Sequence, residues 1–126
     1  MKLVLGENGV ELVHPAGNWH LKQTIGYSPV EALVASVAAC SIYVYKKILE
    51  NSGIDFELVD ATVSYERDAD KKAQPVSEIT INFEMKVAAA DQKKTSRALR
   101  LIAPNCPVIQ TLDASVVVEE TVSFVD

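Results

Sequence analysis

The N-terminal part of the chain alternates apolar and polar residues in three short runs, Leu3 to Leu5, Val10 to Val13 and Trp19 to Gln23, separated by Glu7-Asn8-Gly9 and Pro15-Ala16-Gly17-Asn18. A period of two broken by turn formers predicts a small β-meander. Ser28-Pro29-Val30-Glu31 then carries three agreeing helix-start signals: a hydroxyl at the N-cap, proline at the first helical position, and a glutamate three residues after the serine. The helix is expected to run to about Ser52, where Asn51-Ser52-Gly53-Ile54 offers a left-handed glycine stop and an apolar residue to pack back. From Pro29 to Tyr45 its polar groups are limited to Glu31, Ser36, Cys40, Ser41 and the hydroxyls of Tyr43 and Tyr45. Such a helix is expected to be buried on all sides. At roughly 37 Å it spans the width of a small domain, more than one sheet from this chain could cover. A homodimer that shares the helix is the simplest remedy.

Beyond Gly53 the period returns to two. Val59, Ala61, Val63 and Tyr65 alternate with Asp60, Thr62, Ser64 and Glu66, and Ile79, Ile81, Phe83, Met85 and Val87 with Thr80, Asn82, Glu84 and Lys86. This predicts a long hairpin with one buried face and a charged, mobile connection over Arg67 to Pro75. Ala89 to Ala103 reads as a second helix with Ala98, Leu99, Leu101 and Ile102 inward, stopped by Pro104. A short helix is expected near Cys106-Pro107. A last strand, Ser115 to Val125, places Val116, Val118, Val122 and Phe124 on one face and Glu119, Thr121 and Ser123 on the other. The expected fold is therefore α+β, a single domain over residues 1–126, in the order βββ-α-ββ-α-α-β around a long buried helix, as an intertwined homodimer.

Composition narrows the function. A 126-residue chain that is 48% apolar can bury one core. A net charge of -5 argues against nucleic acid as partner. No uninterrupted apolar run approaches the roughly 20 residues of a membrane span, and the N-terminus turns polar too early for a signal peptide. The expected location is the cytoplasm, without a membrane partner. In that reducing compartment the 2 cysteines are weighed as free, catalytic or buried thiols. Amid Ala38, Ala39 and Ile42, Cys40 taken alone reads as an inert core thiol. Cys106 precedes Pro107 at an apparent first helical position, where backbone N–H groups favour a thiolate. Cys40 lies about twelve residues into its helix, beyond reach of the macrodipole. No Cys-x-x-Cys or His-x-x-x-His spacing supports a metal site. His14 and His20 read as surface or hydrogen-bonded residues.

Ser-Pro-Val-Glu-Ala-Leu-Val-Ala-Ser-Val-Ala-Ala-Cys, residues 28–40, together with Cys106-Pro107-Val108 before a valine-rich last strand, resembles the reactive-cysteine contexts of the OsmC/Ohr family of thiol-dependent peroxidases. The resemblance covers nearly the whole chain. It implies that Cys40 attacks a hydroperoxide and becomes a sulfenic acid, that Cys106 resolves it as a disulfide, and that an external dithiol, such as a dihydrolipoyl group on a partner protein, restores both thiols. No bound cofactor is implied, and the role would be defence against oxidative stress. The apolar helix around Cys40 favours organic hydroperoxides over hydrogen peroxide.

In the family an arginine from the N-terminal sheet, oriented by a glutamate at the start of the long helix, supports the attacking thiolate. Here the arginines are Arg67, Arg97 and Arg100, all after the helix, and Glu31 stands one position later than the family's acid. Nine residues at about 100° each place Glu31 and Cys40 on opposite sides of one helix, so Glu31 is a candidate to serve the second chain's site. Its capping-box role already explains it structurally. On the Cys40 face, Tyr43 and Lys47 are candidate supports, and Arg67 is the favoured replacement for the missing arginine. Two other functions stay open on the sequence: a redox sensor or binder of hydrophobic small molecules with little turnover, and a cysteine hydrolase using His14 or His20 as base.

Overall fold

A computed structural model describes residues 1–126. The chain forms two compact units, Met1–Ala35 and Ser36–Asp126. In the first, β1 (Leu3–Gly6), β2 (Gly9–Leu12) and β3 (Trp19–His20) form an antiparallel sheet in that order. The third strand is shorter than the alternation to Gln23 suggested. Leu21 N–H still reaches Val10 C=O, at 2.9 Å, and then Gly26 N–H closes a turn on Lys22 C=O at 2.8 Å. At Gly26 a side chain would collide with the His20 carbonyl, 2.2 Å from an added Cβ, so only glycine permits this close return.

Helix α1 (Pro29–Asn51) begins as its sequence dictates. The Ser28 hydroxyl accepts from Glu31 N–H at 3.1 Å while the Glu31 carboxylate accepts from Ser28 N–H at 2.9 Å, a reciprocal capping box. It ends at Gly53, whose φ of 70° suits a left-handed cap, with Ile54 N–H on Leu49 C=O at 3.1 Å and the Ile54 side chain buried. The expectation of burial all round is corrected. Within one chain only the stripe Val34, Val37, Ala38, Ser41, Tyr45 and Leu49 is buried, at the spacing of one helix face, whereas Leu33 is 44% and Tyr43 75% exposed. By length and composition α1 also meets the criterion for a membrane span, which the count of uninterrupted apolar residues did not register. The core helix of a folded domain meets the same criterion, and α1 sets Tyr45 on the ring of Phe83, centroids 4.9 Å apart.

Phe83 belongs to the sheet of the second unit, in which β4 (Phe56–Arg67), β5 (Val76–Val87) and β6 (Val117–Phe124) lie in that order. The β4–β5 pair is the expected antiparallel hairpin. A register shift between Leu58 and Asp60 breaks the strict alternation, so Phe56 and Leu58 are partly buried while Val59 is exposed, contrary to expectation. The connection over 68–75 is tied by its own hydrogen bonds, Asp68 N–H to Pro75 C=O at 2.8 Å and Asp70 N–H to the Asp68 carboxylate at 3.0 Å. Central β5 buries Ile79, Ile81, Phe83 and Met85, none more than 1% exposed; each such side chain contributes about 1.5–3 kcal/mol. β6 joins β5 in parallel.

The second helix is three pieces: α2 (Ala89–Ala98), a 3₁₀ turn over Leu99–Leu101, and α3 (Ile102–Asn105). The tighter turn rephases the inward face, so Ile102 is buried and Leu101, expected inward, is 42% exposed. Pro104 sits inside the first turn of α3 rather than ending the helix, because a first-turn residue has no intrahelical N–H bond to lose. Cys106 then caps α4 (Pro107–Thr111).

Candidate active site: a thiol pair between α1 and α4

Two short-range features of the sequence place the thiols. The α1 periodicity turns Cys40 to the margin of the buried stripe, leaving it half-buried, and the Asn105-Cys106-Pro107 break between α3 and α4 puts Cys106 wholly inside. Their sulfurs are 2.8 Å apart, with the Cys106 S–H donating to Cys40 Sγ. Both are free thiols, and a bond of about 2.05 Å requires only a small approach.

The electrostatics of Cys106 differ from the sequence-based expectation. Its sulfur does accept Ile109 N–H, at 3.4 Å, the N-cap geometry expected before Pro107. Burial nevertheless dominates and pushes its pKa up, the hydrogen bond to Cys40 pushes the same way, and the backbone N–H groups of Ile109 and Val108 only partly offset them. The α4 helix is five residues long and contributes too little dipole to win. Cys106 is thus the thiol that keeps its proton, and that proton is directed at Cys40.

The other candidates are engaged elsewhere. Glu31 holds the capping box. Arg67 Nε donates to Gln74 C=O at 2.7 Å and braces the hairpin loop. His14 and His20 lie in the N-terminal unit: His14 Nδ1 accepts Ala16 N–H at 3.0 Å, and His20 Nδ1 is 3.9 Å from Glu11. Tyr43 and Lys47 do stand close along α1; with Val44, Ile48, Asn51 and Asn105 they line a cleft of about 460 Å³ that reaches the residue before Cys106. No group of three or more His, Cys, Asp or Glu side chains is arranged to hold a metal.

One group was missed. Glu120 falls on the same side of β6 as Val118, Val122 and Phe124, and all four are partly buried. The alternation of that strand contained the signal, a lone carboxylate in an apolar row. Burial pushes its pKa up to about 7, although the nearby Ser41 hydroxyl draws it the other way. Tyr45, whose hydroxyl donates to Thr95 C=O at 2.7 Å, is pushed far above the usual phenol range by burial and by the Glu120 charge.

The sequence model of the family described as OsmC-like protein matches residues 21–121. The fold is similar to that of an OsmC-like protein from Mycoplasma pneumoniae, at 17% identity and a TM-score of 0.76 over 99% of this chain and 95% of that one. It is also similar to an organic hydroperoxide resistance protein from Legionella pneumophila, at 17% identity and a TM-score of 0.62 over 97% and 93%. OhrB of Bacillus subtilis, an organic hydroperoxide resistance protein, matches at 17% identity and a TM-score of 0.58 over 97% and 95%. No protein of curated function matches the sequence.

Proposed function

The chain belongs to the OsmC-like family, and from that premise we propose that it is a thiol-dependent peroxidase that reduces organic hydroperoxides to alcohols in defence against oxidative stress. The observation that carries this reading is the 2.8 Å contact in which Cys106 donates its proton toward Cys40. The contact holds the resolving sulfur directly against the attacking one. The Cys40 thiolate attacks the outer oxygen of R–O–O–H, the O–O bond breaks, and the departing alkoxide takes a proton to leave as the alcohol. Cys40 is now a sulfenic acid. Cys106 sulfur attacks it, water leaves, and the Cys40–Cys106 disulfide results. A dithiol of the dihydrolipoyl class, free or on a partner protein in the cytoplasm, returns two electrons and two protons and becomes a disulfide itself.

Tyr43, Val44 and Ile48 give the neighbouring cleft an apolar wall, which supports organic hydroperoxides over hydrogen peroxide. The exposed apolar surface of one chain, with Tyr43 at 75%, Tyr27 at 67% and Trp19 at 60%, supports a homodimer. In that dimer we assign Glu31 to the partner's thiol site, and Arg67 as the cationic partner of the Cys40 thiolate. A second reading, a redox sensor with little turnover, is favoured by one observation: no lysine or arginine is among the groups that shift Cys106, and no arginine precedes α1.

Steady-state reduction of cumene hydroperoxide with dihydrolipoamide as reductant decides between them. The peroxidase reading expects repeated turnover, abolished in Cys40→Ser. A single turnover followed by arrest would establish the sensor instead.

A further inference from the structure

The two thiols that meet at 2.8 Å are not equally open to a molecule from outside. Cys40 sits at the margin of the α1 stripe and keeps part of its surface in solvent, whereas Cys106 is 0% exposed, enclosed at the joint between α3 and α4. Beside Cys40 there is also room for a ligand. Tyr43, Val44, Lys47 and Ile48 follow it at helical spacing on its own face of α1, and they line the cleft that ends at Asn105. A disulfide is opened by a thiolate that bonds to one sulfur, approaching along the S–S axis, while the other sulfur departs. Attack on Cys106 would carry the incoming group into the core behind it; attack on Cys40 starts from solvent. The departing sulfur has a donor in place, since Cys106 Sγ already accepts Ile109 N–H at 3.4 Å. Burial opposes a charge on that sulfur, but the hydrogen bond and the like charge through which Cys40 adds to the penalty vanish once Cys40 is bonded to the external thiol.

We propose that the Cys40–Cys106 disulfide is opened at Cys40 alone: the external thiolate bonds to the Cys40 sulfur, the S–S bond breaks, and Cys106 leaves with the electron pair and takes up the proton that the external thiol gave up. The mixed disulfide is thus carried by Cys40, and Cys106 is the thiol freed first. The second sulfur of a dithiol reductant then attacks the reductant sulfur held on Cys40, closes the reductant's own disulfide and releases Cys40. This rests on Cys40 and Cys106 being a redox pair, but not on hydroperoxide being their oxidant. The freed Cys106 stays beside Cys40 and expels a monothiol again, so a monothiol adduct is short-lived and is read after an acid quench.

The test closes the bond in the full-length protein with diamide, whose azo group accepts two electrons and two protons from the thiols. The oxidant is removed, and cysteamine is added in excess at about pH 8, where thiolate is plentiful. Samples are quenched in acid, alkylated with N-ethylmaleimide and mapped by tandem mass spectrometry. Cysteamine is expected on Cys40 and the alkyl group on Cys106; cysteamine on Cys106 with Cys40 alkylated overturns the proposal. Where no adduct accumulates, the single-cysteine variants decide, by their rates with dithiodipyridine read from the released thiopyridone. Cys106→Ser, which keeps Cys40, should react at least about tenfold faster than Cys40→Ser, which keeps only the buried Cys106. Equal rates, or the reverse order, overturn the proposal. Closure of the bond by diamide but not by hydroperoxide would overturn only the peroxidase reading. Failure to close it with either oxidant would overturn both.

Discussion

Replacing Glu120 by Gln should change how stability depends on pH, in a direction and amount that follow from its surroundings. Its pKa rises from the ordinary 4.5 to about 7 on folding, chiefly through burial. A group whose folded pKa is raised binds its proton more tightly in the native state, so its contribution is full below about pH 4.5 and is lost as pH rises through 7. Roughly 2.5 pKa units would correspond to about 3 kcal/mol. Because the side chain is only partly buried, solvent screening reduces the expected loss to about 1–2 kcal/mol. Urea unfolding followed by circular dichroism at pH 4.5 and pH 8, at one fixed protein concentration, measures it. The wild type should lose about 1–2 kcal/mol more than Glu120→Gln across that interval. Parallel losses in the two proteins would refute the reasoning, because they would show that Glu120 titrates alike in the folded and unfolded chains.

Other outcomes follow from single contacts. Cys106→Ser should leave Cys40 as a sulfenic or sulfinic acid after one equivalent of hydroperoxide, detected by intact mass and dimedone labelling, since no thiol remains 2.8 Å away to resolve it. Tyr45→Phe removes the donor to Thr95 C=O and should cost about 1–2 kcal/mol in urea unfolding; the rate of disulfide formation at pH 7 should stay within about twofold, because the ring and its stacking on Phe83 remain. Gly53→Ala forces a side chain into φ of 70° in open space and should lower stability by about 1 kcal/mol, measured the same way.

Local rules made much of this fold legible. The capping box at Ser28 and Glu31, the glycine stop at Gly53 and the long alternation through β5 are each decided by neighbouring residues, and the structure has all of them. What escaped was decided at longer range. The bulge near Leu58 exposes Val59, and the 3₁₀ turn at Leu99–Leu101 rotates Leu101 outward; neither leaves a clear mark in periodicity. Parallel pairing of β6 with β5 also lies beyond any local pattern. The exposure of Leu33 and Tyr43 shows that one chain cannot cover both sides of α1, the shortage that the helix's length already indicated.

The site divides in the same way. The flanks of Cys40 and Cys106 marked them as candidates, and their sulfurs lie 2.8 Å apart, but the direction of the Cys106 shift was not readable there. An N-cap position suggested an activated Cys106, whereas full burial outweighs two backbone donors and leaves it the proton-bearing partner. Glu120 was visible as a carboxylate in phase with Val118 and Val122, yet its meaning depends on Ser41 and Tyr45 arriving from α1.

Peptide mapping under non-reducing conditions after one equivalent of cumene hydroperoxide reads the fate of both thiols. A Cys40–Cys106 disulfide within each chain, reversed by dihydrolipoamide, is the expected product. Recovery of both cysteines as free thiols, or of Cys40 joined to any sulfur other than Cys106, would contradict it.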